Sequence, residues 1–320
     1  MEESSWRPSA SHEILTRRAG LLRAIRAFMH ERGVLEVETP ALSRAAATDP
    51  NILSLRTRVH LPDAPGGQQV YLHTSPEFPM KRLLAAGSGP IFQIARVFRD
   101  QEAGQRHLPE FSLLEWYRPG FDHHRLMDEI TELLQLLGRS APVRLSYREL
   151  FMRHAGLCPH TAPDGDLRQR AHELGLVAAG GADRSMLLDF LFDRAVAPRL
   201  PDAGVFVFDY PLCQAALARI VPSLPPVAQR FELFLSGMEI ANGFHELGDS
   251  AEQSQRFKIE NARRAGRGLP VMPVDERLLA ALESGLPDCA GVALGIDRLL
   301  MALTGGSRID EVTAFTFNRG

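Results

Sequence analysis

Cysteine is scarce in this 320-residue chain: Cys158, Cys213 and Cys289 are odd in number, widely spaced and form no Cys-x-x-Cys pair. That pattern argues against a disulfide framework and structural zinc, and fits a reducing cytoplasm. No apolar run approaches the ~20 residues a membrane span needs. The opening Met-Glu-Glu-Ser-Ser-Trp is not a signal peptide. Charge excess is missing too: 36 Lys and Arg against 39 Asp and Glu leave a net charge of −3. Such a chain has no electrostatic footprint for wholesale nucleic-acid binding, so tRNA is not an expected partner. Neither a Gly-x-x-x-x-Gly-Lys-Ser/Thr loop nor a Gly-x-Gly-x-x-Gly turn after a strand occurs. No repeat or low-complexity linker divides the chain, and residues 1–320 read as a single globular domain, 45% hydrophobic and 23% charged.

What is present centres on residues 94–117. Two strand-like apolar runs, Ile91–Phe98 and Phe111–Tyr117, flank a polar loop with Arg99, Arg106 and His107. A strand end can hold a planar guanidinium over an anion, although a surface hairpin with solvated charges has the same pattern. Upstream, the spacing of Ile14, Leu15, Leu21, Leu22, Ile25, Phe28 and Met29 predicts a helix over 12–32, with Ser11 as N-cap and Gly33 just past its end. A strand, Val34–Val37, and Thr39-Pro40 follow. Residues 41–70 read as loop and Val70–Thr74 as a short strand. A helix then begins at Ser75-Pro76-Glu77, where a carboxylate also suits the helix dipole.

Helices are predicted around Leu126–Leu137, Tyr147–His154 and Met186–Val196, with a strand at Val205–Pro211. His123, His124, His154, His160 and His172 lack ligand spacing. Residues 221–227 read as loop. Arg230–Glu246 reads as one alternating strand interrupted by acidic Glu239 and Glu246. Buried acids need cations, so a divalent metal or a substrate ammonium would suit them; solvent-facing edge acids are the alternative. Charged helices follow at 249–264 and 275–284. A glycine-rich strand then runs into a helix through Gly291-Val-Ala-Leu-Gly-Ile-Asp-Arg298-Leu-Leu-Met301.

The three stretches ending in Pro40, spanning 94–117 and spanning 291–301 resemble, in order, motifs 1, 2 and 3 of the class II aminoacyl-tRNA synthetases. Pro76-Glu77 with Lys81-Arg82-Leu83, Pro109-Glu-Phe111, Arg230-Phe-Glu232 and Glu239-Ile-x-Asn-Gly-Phe244 resemble the lysine branch. The resemblance implies an α+β class II catalytic core, an antiparallel sheet flanked by helices, and a homodimer formed through motif 1. Fewer than forty residues precede motif 1, which leaves no room for an OB-fold anticodon domain.

That architecture resembles the elongation factor P–(R)-β-lysine ligases, synthetase paralogues that modify a protein lysine. Ser75 in Thr74-Ser-Pro-Glu77, Ala293 in motif 3, the turn Leu212–Ala218, Leu114–Pro119 and Phe244-His-Glu246 agree with them. The resemblance implies ATP and (R)-β-lysine as substrates, Mg2+ as cofactor and elongation factor P as partner. Carried over by position, Arg99, Asp100, Gln101, His107, Leu108, Phe111, Glu239, Ile240, Gly295 and Arg298 form the ATP site. Arg99, Arg298 and Glu239 are the catalytic set, and Glu239 with Glu246 binds metal. Ser75, Pro76, Glu77, Tyr117, Asn242, Glu246 and Ala293 receive β-lysine. The chain departs from the family where Asn-Glu usually follows the first arginine, here Asp100-Gln101, and at Leu108, where Asn is usual. A minimal enzyme activating α-lysine and a non-catalytic regulatory paralogue are the alternative readings.

Overall fold

The computed structural model describes residues 6–177 and 181–319. Its contacts divide into two units. One comprises Met1–Gly120, Gly248–Cys289 and Ala293–Gly320, the other Phe121–Leu247 and Ala290–Val292. The architecture is α+β with mostly antiparallel strand pairs, as expected.

The first unit begins with α1 (His12–Glu31), whose first turn is capped by the Ser11 hydroxyl accepting from the Ile14 N–H. Leu21, Ile25, Phe28 and Met29 line its buried stripe. Gly33, at φ +68°, reverses the chain beyond it. The strand β1 (Leu35–Glu36) then pairs in parallel with Ile91 and Phe92. In the chain between these partners, β2 (Leu42–Ser43), β3 (Arg56–Leu61) and β4 (Ala64–Leu72) form a separate antiparallel sheet in the order β2-β4-β3. The sequence predicts loop there, with a strand only at 70–74. Residues 56–61 are mostly exposed on both faces, so no apolar alternation marks the strand.

Next comes α2 (Glu77–Ala85), whose Met80 and Leu84 pack with Ile91, Tyr117 and Cys289. The hairpin strands β5 (Ile91–Phe98) and β6 (Glu110–Pro119) pair without interruption from Ile91↔Tyr117 to Phe98↔Glu110. This is the hairpin expected from the sequence.

In the second unit, α3 (His123–Leu136) is capped by Asp122, and β7 (Val143–Ser146) runs into α4 (Tyr147–His154) through a Ser146–Glu149 capping box. Then follow α5 (Asp164–Glu173) and α6 (Arg184–Leu191), the latter continued by a π-turn over Phe192–Val196. The strands β8 (Val205–Tyr210), β9 (Ile220–Val221), β10 (Val227–Leu235) and β11 (Met238–His245) complete this unit. Pairing runs β7-β8-β10-β11, with β9 on β10; only β7/β8 is parallel. Helix residues Tyr147, Phe151, Leu187, Leu188 and Leu191 pack on Val205 and Val207 to form its core.

The stretch 230–246 is therefore a hairpin and not the single strand expected. Ser236 and Gly237 both take positive φ, +51° and +66°, which suits a tight two-residue turn. Their small polar character is hidden in sequence by the apolar residues on either side.

Back in the first unit, α7 (Ser250–Gly266) and α8 (Glu276–Gly285) are capped by Asp249 and Asp275. The buried strand β12 (Cys289–Gly295), of which Ala290–Val292 count with the second unit, leads into α9 (Ile296–Thr304). Among the described residues, no helix is long and apolar enough to cross a membrane.

Candidate active site

In the first unit the β5–β6 hairpin is fastened at its base. The Arg99 N–H donates to the Pro109 carbonyl at 2.9 Å, and the Asp100 N–H donates to the Leu53 carbonyl at 2.8 Å. Gln101 turns the chain with φ +64°, and Gly104 and His107 close a narrow loop opposite it. The Arg99 guanidinium lies 5.1 Å from the centre of the Phe111 ring, donates weakly to the Thr74 carbonyl at 3.4 Å and pairs with Glu102 at 3.5 Å. From α9, Arg298 reaches the same loop and donates to the Arg106 carbonyl at 3.3 Å.

His107 senses this crowd of cations. Burial pushes its pKa below the ordinary histidine value, and Arg298, Arg99 and Arg106 push the same way against Glu102. The imidazole is thus neutral near pH 7, available to a nucleotide as one donor and one acceptor. Arg99, His107 and Phe111 of the hairpin and the sequence-distant Arg298 form one group: two arginines, a neutral histidine and an aromatic face. Such a set can hold polyphosphate and stack a base. Gly295 precedes the first turn of α9 without a side-chain cap, and Ala293 packs beside Ala95, Val97, Leu113 and Phe111.

Further down the same sheet face lies a carboxylate that sequence reasoning missed. Glu115, 2% exposed, accepts the Ser75 hydroxyl at 2.6 Å through Oε2 and the Tyr117 hydroxyl at 2.6 Å through Oε1. Ser75 also accepts the Glu77 N–H at 3.0 Å, while Pro76 stands at the start of α2. Ser75 and Tyr117 were expected to touch the amino acid; both converge on Glu115. The available signal was parity: Glu115 is two residues from Tyr117 on one strand, an acid inside an otherwise apolar run. Glu77 has a different environment. Its Oε1 accepts from the Lys81 ammonium at 2.6 Å, and the Lys81 side chain is only 2% exposed. The expected ammonium partner therefore already carries a buried cation of its own.

In the second unit, β11 carries Glu239, Ile240 and Asn242, and Glu246 directly follows its last residue. Residues seven apart on a regular strand point to opposite faces. A bulge changes this: Leu233 pairs with Ala241 and Phe234 with Glu239, leaving Ile240 extra. Ile240 and Ala241 are both buried, after which the alternation resumes in inverted phase. Glu239, Asn242, Phe244 and Glu246 consequently share one face. Glu239 is exposed, whereas Glu246 is 2% exposed beside Ala218, with which it forms a bridge. Only Glu246 is thus a buried acid. Across the hairpin, Arg230 donates to Asn242 Oδ1 at 3.2 Å, to the Gln214 carbonyl at 2.7 Å and to Glu232 at 2.5 Å. Gly243, next along the strand, is fixed by packing: a Cβ there would clash with the Phe231 ring. Two carboxylates on one strand face suit Mg2+, a hard ion that takes one or two acids and completes its shell with water and phosphate.

A family model for the class II tRNA synthetases of the D, K and N type matches residues 4–319. A Vibrio cholerae protein named elongation factor P–(R)-β-lysine ligase is 51% identical, with 100% of each chain covered. A protein of the same name from Pectobacterium carotovorum is 49% identical over 99% of each chain. Another, from Klebsiella pneumoniae, is 48% identical over 99% of each. With the hairpin, the glycine strand and its arginine helix in place, the chain belongs to the class II tRNA synthetase family, in the group of the elongation factor P–(R)-β-lysine ligases.

Proposed function

We infer that this protein is an elongation factor P–(R)-β-lysine ligase. It activates (R)-β-lysine with ATP and transfers the β-lysyl group to a lysine of elongation factor P. The observation that carries the reading is end-to-end identity of about half the residues with proteins of that name, the chains covering each other fully. The first step is attack of the β-lysine carboxylate oxygen on the α-phosphorus, with the bond to pyrophosphate breaking. In the second, the neutral amine of the target lysine attacks the acyl carbon, AMP leaves and an amide forms.

Neither step needs a covalent enzyme intermediate, so catalysis is orientation plus neutralisation of charge. Arg99 is assigned to the α-phosphate and Arg298 to the γ-phosphate end, with Phe111 under the base. Asp100, Gln101, His107 and the main chain at Leu108, Ile240 and Gly295 are assigned to the remainder of ATP. Glu239 and Glu246 are assigned to Mg2+, which when bound neutralises phosphate charge. Glu115, held by Ser75 and Tyr117, is assigned to one ammonium of β-lysine, with Glu77, Asn242, Glu246 and Ala293 as further contacts. Residues 1–320 are read as one catalytic domain, acting as a cytoplasmic homodimer through α1 with no tRNA acceptor.

The test is ATP–pyrophosphate exchange with (R)-β-lysine and with α-lysine, without RNA, followed by mass analysis of elongation factor P. Exchange favouring the β-isomer and a β-lysyl mass increment on the factor are expected. Exchange favouring α-lysine would instead assign an α-lysine-activating enzyme. Absence of exchange with both would leave a regulatory paralogue.

A further inference from the structure

Arg18 sits on α1, far in sequence from both arginines of the candidate nucleotide group. Its Nη1 donates to Asp297 Oδ1 at 2.6 Å, and its Nη2 donates to Ser112 Oγ at 2.8 Å. The second oxygen of Asp297, Oδ2, accepts the main-chain N–H of Ser112 at 2.8 Å. These bonds close a ring that joins α1, β6 and α9. It lies away from water: the Arg18 and Asp297 side chains are 17% and 2% exposed.

The neighbours of the ring give it its meaning. Ser112 directly follows Phe111, the candidate base platform, and Asp297 directly precedes Arg298, the candidate phosphate ligand. Each group anchors the backbone of a residue facing the nucleotide. Asp297 also stands in the first turn of α9, whose N-terminus has no side-chain cap, so its charge adds to holding that turn. A buried carboxylate in this position requires a cation, and Arg18 supplies it in a fork that reaches both anchors at once.

We propose that Arg18 is a positioning residue for ATP: by bridging Asp297 and Ser112 it fixes the spacing between Phe111 and Arg298. Lysine could supply the charge, but from a single nitrogen in place of the two guanidinium nitrogens that reach Asp297 and Ser112 separately. The proposal rests on the reading of Arg99, Phe111 and Arg298 as the ATP site. It also gives α1, the expected dimer helix, a direct mechanical link to that site.

The test compares Arg18→Lys and Arg18→Met with the unaltered protein. ATP affinity is measured directly by calorimetry, and KM for ATP, KM for β-lysine and kcat by pyrophosphate exchange. Both variants should bind ATP at least about tenfold more weakly, with kcat lowered by about a hundredfold, the scale of a misplacement of about 1 Å. KM for β-lysine should stay within about twofold of the unaltered protein's, a fraction of a kcal/mol. Methylguanidinium added to Arg18→Met should restore part of the ATP affinity. Should Arg18→Met fail to fold, Arg18→Lys, which keeps the buried charge paired, carries the test. Folded variants with unchanged ATP affinity and kcat, or with only a lowered melting temperature, would overturn the proposal. If the unaltered protein binds ATP but activates no amino acid, the ligase reading fails while the calorimetric comparison still decides the role of Arg18. If it does not bind ATP, both fail.

Discussion

The two hairpins carry their candidate chemistry in different ways. In β5–β6 the strands pair in unbroken register, and the nucleotide residues sit at strand ends or in the loop between them. Their positions depend on tethers outside the hairpin, such as the carbonyls of Leu53 and Thr74. In β10–β11 the connection is a two-residue turn, and the acids lie along a strand face whose phase is set by one bulge. The first design tolerates changes in strand register poorly but adapts through its loop. The second tolerates almost no change in residue count, because a shift of one residue exchanges the two faces.

The largest effect is expected at Glu115, on the β6 face of the first hairpin. Glu115→Ala would leave Ser75 and Tyr117 without their common acceptor and the substrate ammonium unpaired. On the scale of removing one partner of a buried ion pair, kcat/KM for β-lysine should fall about a thousandfold. ATP affinity should hold. Equal losses for both substrates in steady-state exchange would show that Glu115 supports the fold alone.

The tethers of that hairpin also have a pH signature. Glu260 on α7 accepts the Thr48 hydroxyl at 2.5 Å, and Thr48 lies in the loop leading to Leu53. Burial pushes the Glu260 pKa up to about 7, against the hydrogen bond from Thr48. The unfolded chain ionises this acid at an ordinary pKa, so the folded state binds the extra proton between about pH 4.5 and 7. Stability from this group is therefore present at low pH and is lost as pH rises through 7. Glu260→Gln should match the natural protein near pH 4.5 and exceed it by about 3 kcal/mol at pH 8. Urea midpoints at the two pH values measure the difference; equal gains at both would remove the ionisation argument.

For the second hairpin, insertion of one residue between Leu233 and Phe234 should give Ile240 a partner, restore plain alternation and put Glu239 and Glu246, seven apart, on opposite faces. Exchange activity should fall about a hundredfold, the effect of misplacing groups by a residue-scale shift, with a higher Mg2+ requirement. An unchanged magnesium titration would show that the shared face is not what matters. Gly243→Ala should have the smallest effect. The new methyl meets the buried Phe231 ring, and overpacking of this kind costs about 1–3 kcal/mol. Phe231→Leu in the same chain should recover part of that loss in thermal unfolding; no recovery would place the strain elsewhere.

Much of this fold was legible because its long elements state one period clearly. Helix α1, the β5–β6 hairpin and the β12–α9 passage have the caps, alternation and glycines expected of them. The pair β3–β4 was not legible, since its strand 56–61 carries no buried face to mark a period. Nor was the turn at Ser236–Gly237, whose two residues sit inside an apolar run. The bulge at Ile240 is a pairing property, and a single strand's sequence does not reveal which partner it will skip. At the candidate site, residue types could be named from the sequence but contacts could not. Ser75 and Tyr117 were expected beside the substrate, yet the acid that joins them was visible only once register brought them together. The Lys81–Glu77 pair stands four apart on one helix, a spacing that carried the signal, yet Glu77 was read as a substrate contact instead.

That pair bears on selectivity in a crowded solution. Sodium, potassium and polyamines compete for any open carboxylate. Glu77 arrives with its own ammonium held at 2.6 Å and largely shielded from water, so it is a weak lure for stray cations. If Glu77 lines the substrate site as proposed, that site rewards a ligand that fits its shape over one that merely brings positive charge.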